Sequence, residues 1–114
     1  MVLFNIKLIN NKYILFIENS DTNVIKKIEL DNKYRELIKE ELNKIYELKE
    51  EFNFISRELD KLHPYTDNYK SIVKKLESMP NFNDPEEKSE YIEINILPKI
   101  FSKEEINSFK EEKW

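Results

Sequence analysis

The 114-residue chain contains no cysteine and no glycine. Without cysteine there is no disulfide framework, no thiolate zinc site and no cysteine nucleophile. Without glycine, glycine-rich phosphate loops and dinucleotide fingerprints are excluded as well. Long apolar runs are also missing. The longest, Tyr13 to Ile17, falls far short of the roughly 20 residues of a membrane span, and the opening Met-Val-Leu-Phe-Asn carries no basic leader region. These absences predict a soluble, cytoplasmic protein. Alanine and glutamine are absent while Lys, Asn, Ile, Phe and Tyr abound, a skew that follows AT-rich codons and points to an AT-rich bacterium or its mobile elements.

What is present suffices for a core. Apolar residues make up 39% of the chain, with fifteen Ile, seven Phe and six Tyr, and the length suits one domain over 1–114. The net charge is −4, from 23 acids against 19 bases. No strongly basic balance or stripe is visible, which argues against direct nucleic-acid binding, where phosphate neutralisation dominates affinity. The acidic excess lies beyond residue 30 and reads as solvated helix faces, which also suit a basic partner surface.

The hydrophobic period changes twice along the chain. Val2, Phe4, Ile6 and Leu8 alternate with Asn5 and Lys7 as a half-buried strand does. Asn10 and Asn11, which tolerate left-handed turns, precede the second run, and a two-residue loop pairs Leu8 with Tyr13, Ile6 with Leu15 and Phe4 with Ile17. A third strand follows the polar turn Asn19 to Asn23, with Val24, Ile28 and Leu30 on one parity, so residues 1–30 form a three-stranded antiparallel meander. Asp31 is the expected N-cap of a long helix. Its seam, Ile45, Leu48, Phe52, Ile55, Leu59 and Leu62, is interrupted at His63-Pro64 and resumes as Tyr65, Tyr69, Ile72, Leu76 and Met79. Two complementary stripes joined by a tight turn predict an antiparallel helical hairpin within 31–79. Two short helices complete an α+β domain over 84–113. The first opens on Asp84-Pro85-Glu86-Glu87, read as N-cap, first-turn proline and capping-box glutamate, and runs to Leu97, although Ile92, Ile94 and Ile96 also alternate as a strand over 90–97 would. The second opens on the capping box Ser102 and Glu105 and runs from Lys103 to about Lys113.

Few residues carry chemistry. Arg57 and the single histidine, His63, stand six apart near the end of the long helix. This pair resembles the arginine–histidine signature of HEPN-type ribonucleases, and the resemblance implies RNA cleavage with Arg57 and His63 as catalytic residues. It covers two residues only: Glu58 replaces the usual small polar residue after the arginine, and the N-terminal meander is foreign to that family. The paired acids Glu40-Glu41, Glu50-Glu51, Glu86-Glu87, Glu104-Glu105 and Glu111-Glu112 are expected to be solvated at the surface. No metal or cofactor site is expected, and Asn19 to Asn23 reads as a turn rather than an oxygen-ligand loop.

The register places Ile14, Phe16 and Ile25 on the outer sheet face with Lys7 and Lys27 beside them. A solvated face does not need such a patch, so two expectations follow: the C-terminal helices cover it in a three-layer domain, or it holds a partner protein or a second copy. Tyr46 and Phe54, on one face of the long helix but off its seam, are expected in the core, and Trp114 packs back or frays. The function expected is a non-enzymatic protein-binding module: a phage-encoded inhibitor of a host defence nuclease, or an immunity protein or antitoxin, acting on a basic nucleic-acid-handling protein. The alternatives are an assembly protein that oligomerises through its hairpin, down to a homodimer, and the HEPN-like ribonuclease.

Overall fold

The computed structural model describes residues 1–111. Trp114 and the expected end of the last helix at Lys113 lie outside the described residues. Three antiparallel strands, β1 (Val2–Ile9), β2 (Lys12–Asn19) and β3 (Val24–Glu29), form a sheet in the order β1-β2-β3. Asn10 and Asn11 have φ of 50° and 65°, the two left-handed residues that a tight hairpin requires. They fix the pairs Phe4 with Ile17, Ile6 with Leu15 and Leu8 with Tyr13, as the alternation predicts. In β3 the inward parity is weaker, because Lys26 interrupts it and Val24 is exposed. Asn23, at φ 59°, closes the second turn, where the Asn19 side-chain oxygen accepts from the amides of Asp21 and Thr22.

Asp31 accepts from the Lys33 amide and caps a short 3₁₀ turn, Asn32–Tyr34, which runs into α1 (Arg35–Asp60). The Arg35 guanidinium then donates to the Asn11 carbonyl at 2.7 Å and to Asn11 Oδ1 at 2.6 Å, clamping the start of α1 to the hairpin tip. α1 ends three residues before His63, and α2 (Asp67–Ser78) starts at a cap that the seam conceals: Thr66 Oγ1 accepts from the Tyr69 amide. Tyr65, expected at the head of the second seam, instead lies in this connector and is 85% exposed. α2 packs against α1, yet none of its residues is fully buried.

α3 (Pro85–Asn95) and α4 (Lys103–Lys110) follow. Residues 90–95 are helical, and a single 3₁₀ turn, Leu97–Lys99, absorbs Pro98, so the strand alternative for 90–97 falls. Asp84 caps α3 through the Glu86 amide. Glu87 does not close a capping box but accepts from the Asn81 amide, while the Asp84 amide is bonded to the Asn81 carbonyl. In α4 the Ser102–Glu105 capping box is complete.

The core lies on one side of the sheet. Phe4, Ile6, Leu15 and Ile17 meet Ile38 and Ile45 of α1, Phe82, Ile92 of α3, Ile96, Leu97 and Ile106 of α4. One carboxylate enters it. Glu41 was expected at the surface with Glu40, but it stands three residues after Ile38 and four before Ile45, on the same inward stripe, and is buried. Burial acts to raise its pKa, and is outweighed by hydrogen bonds from Lys44 and the Tyr91 hydroxyl and by the charges of Lys44 and Lys99, so the net shift is downward. The distances are 3.2 Å to Lys44 Nζ, 3.0 Å to Tyr91 Oη and 3.4 Å to Lys99 Nζ. Glu41 therefore ties α1 to α3 and to the 3₁₀ turn after it.

Two stability predictions follow from this packing. Ile96→Ala or Leu15→Ala, each removing a fully buried side chain, should cost about 2–5 kcal/mol in a urea titration, whereas Ile72→Ala on half-exposed α2 should cost about 1–2 kcal/mol. Equal losses would mean that α2 is buried as deeply as the sheet. Because the folded pKa of Glu41 lies below the unfolded one, its contribution is present above the unfolded value and is lost as pH falls through the folded value. Glu41→Gln should cost about 1–3 kcal/mol at neutral pH and flatten the fall in stability seen on acidification below pH 4.5, the ordinary glutamate value.

Candidate functional site

The sheet exposes its second face. On it, Phe16 stands opposite Asn5 on one side and Lys27 on the other, with Lys7 opposite Ile14 and Ile25 opposite Glu18. The C-terminal helices pack on the inner face and along the free edge of β1, so the domain has two layers, and the three-layer expectation is corrected. Ile25 is 52% exposed, and Ile14 and Phe16 are half-buried by their neighbours on the sheet. The lysines account for part of that cover: Lys7 Nζ lies over the Phe16 ring at 4.9 Å from its centroid and Lys27 Nζ at 5.7 Å. Each such contact is worth about 0.5–1 kcal/mol at an exposed site.

A second element of the site was not foreseen. At the β1 edge the Phe4 amide, which faces away from β2, donates to Ser89 Oγ of α3 at 2.8 Å. This bond seats α3 beside the strand, and a cleft of roughly 320 Å³ opens there onto the outer sheet face, walled by Lys7, Phe16, Glu18 and Ile25 of the sheet, Lys49 of α1 and Lys88 of α3. Burial lowers the pKa of Lys88, and the nearby charges of Lys49 and Lys7 lower it further. The one signal available in the chain was Ser89 itself. It precedes Ile92 and Ile96 by three and seven residues, a helical stripe whose first member is polar and therefore needs a buried partner.

The other sequence candidates are not assembled. Arg57, in the last turn of α1, and His63, in the connector, are both exposed, and neither a hydrogen bond nor an ion pair joins them among the described residues. His63 Nδ1 instead accepts from the Tyr65 amide at 3.4 Å. Tyr46 and Phe54, expected in the core, are 63% and 57% exposed. No group of three or more His, Cys, Asp or Glu that could hold a metal ion occurs among the described residues, and no described helix is long and apolar enough to cross a membrane. The chain matches no protein-family model, no curated protein and no solved structure.

An open outer face makes a direct prediction for Phe16→Glu. The variant should remain folded, losing no more than about 2 kcal/mol in a thermal melt followed by circular dichroism, the size of its two cation–π contacts. A loss of several kcal/mol would show that the face is covered and the new charge buried.

Proposed function

We propose that the chain is a non-enzymatic protein-binding module that acts in the cytoplasm by occupying another protein with the outer face of its sheet. The observation that carries this reading is the apolar patch of exposed Ile25 and half-buried Ile14 and Phe16, fringed by Lys7 and Lys27. Aromatic anchors inside a charged rim are the usual composition of protein interfaces. The role such a module fills is neutralisation of the protein it covers, as an inhibitor of a host defence nuclease encoded by a phage or as an immunity protein or antitoxin. The lysine fringe defines the chemistry at contact, since the partner patch that complements it carries carboxylates. The acidic excess lies on the helices, where it suits the longer-range field of a basic, nucleic-acid-handling target.

A second reading rests on the hairpin, where no residue of α2 is fully buried and Tyr46 and Phe54 of α1 are exposed. Self-association through these helices would make the chain an assembly protein, and sedimentation over a range of concentrations separates the two readings.

The test is a comparative pull-down from host extract, with the wild-type chain, Phe16→Glu and Ile25→Glu as baits of equal fold stability. A protein held by the wild type, lost from both variants and released by salt supports the sheet-face reading. Lys7→Gln and Lys27→Gln should slow association severalfold at low salt with a smaller effect at high salt. Binding that both glutamate variants retain would overturn the sheet-face reading. RNA cleavage by the pure protein that stops with Arg57→Ala or His63→Ala would replace it with the ribonuclease.

A further inference from the structure

The cleft at the β1 edge gathers charge that the fold does not neutralise. Lys7, Lys49 and Lys88 come from three different elements and share one small volume. None of them forms an ion pair among the described residues, whereas Lys12, Lys44, Lys61, Lys99 and Lys110 all do. Glu18 is the only acid on the cleft wall. Asn5 adds a further donor, because its side-chain oxygen is held by the Ile6 amide at 3.0 Å and its NH2 group has no partner among the described residues. In a chain of net charge −4, three converging ammonium groups raise the free energy of the folded state unless an anion joins them.

We propose that this cleft binds a small polyvalent phosphate, with Lys7, Lys49 and Lys88 as its three cationic contacts. The charge count favours that class, since a di- or triphosphate brings several negative charges into one cleft, whereas a protein carboxylate brings one. The residue type agrees: lysines act as point charges suited to phosphate oxygens from any direction, and no arginine is present on the wall to grip a planar carboxylate in bidentate fashion. A cleft of roughly 320 Å³ also lies within the range of small-ligand sites. Nucleic acid is disfavoured by the lack of a basic track leading out of the cleft across an acidic surface. The proposal does not depend on the sheet face holding a protein, although Lys7, Phe16 and Ile25 belong to both.

The experiment is a titration of the full chain with inorganic triphosphate at low salt, followed by calorimetry and by amide chemical shifts. Saturable one-to-one binding is expected, with shifts at Asn5, Lys7, Lys88 and Ser89. Lys88→Gln and Lys49→Gln should each weaken it about tenfold, the size of one charge-assisted contact, and Lys70→Gln and Lys103→Gln, on exposed positions elsewhere, should leave it unchanged. Should Lys88→Gln lower the melting temperature, Lys49→Gln alone carries the comparison. A nucleoside triphosphate that binds more tightly than inorganic triphosphate identifies a free nucleotide as the source, and equal binding identifies an inorganic polyphosphate. Absence of saturation, equal weakening by the distant lysine variants, or tight binding of a polyglutamate peptide that triphosphate does not displace would each overturn the proposal. Loss of phosphate binding in Lys88→Gln with partner capture intact, or the reverse in Ile14→Ser, a position on the sheet face outside the cleft wall, tells the failure of one reading from the failure of the other.

Discussion

Two asparagines in the left-handed conformation, Asn10 and Asn11, decide which side of the sheet each residue of the first two strands occupies. A slip of one residue in this hairpin would place Phe4 and Ile6 on the same face as Phe16 and Glu18, so that no face could gather Phe4, Ile6, Leu15 and Ile17 together. The long helix is bound to the same turn, since Arg35 grips Asn11 through both its carbonyl and its side chain. Sheet register and helix placement are therefore fixed at one point. The inner face, once sorted, takes up the apolar stripes of α1, α3 and α4, and the outer face keeps whatever that sorting leaves behind.

Where backbone chemistry and periodicity acted together, the structure was legible in advance. The hairpin pairing, the seam along α1 and α2 and the Ser102–Glu105 cap all rest on residues whose local preference agrees with their tertiary role. The parts that escaped are those in which one residue does something unlike its neighbours in the chain. Glu41 looks like half of an exposed acidic pair, yet its phase on the helix puts it between Ile38 and Ile45. Tyr46 and Phe54 are large and apolar enough to suggest a core, but their helix face has no layer against it. The basic cleft was invisible for a simpler reason. Lys7, Lys49 and Lys88 are isolated single charges in the chain, each beside acids or apolar residues, and only the docking of α3 on β1 brings them together.

Charge is thus distributed in two different ways. Over most of the surface, acids and bases alternate and several pair locally, as Lys12 does with Glu29 and Lys61 with Glu58, and such exposed pairs contribute little to stability. Around the cleft at the β1 edge, by contrast, Lys7 lies over an aromatic ring, and Lys7, Lys49 and Lys88 form no ion pair among the described residues. Segregation of this kind leaves the net charge almost unaltered while giving one side of a small acidic protein a local field of the opposite sign.

The bond from the Phe4 amide to Ser89 closes a span of 85 residues, and such a closure costs about 4 kcal/mol of chain entropy. The meander, by contrast, is built from neighbours and needs only the first thirty residues. During synthesis, at about 5–20 residues per second, the sheet is complete several seconds before α3 has left the ribosome. Throughout that interval the β1 edge carries free amides and carbonyls, and the core side of the sheet has no lid. The order of elements along the chain therefore gives the nascent protein a period of exposure that the finished one lacks, ended by a single serine.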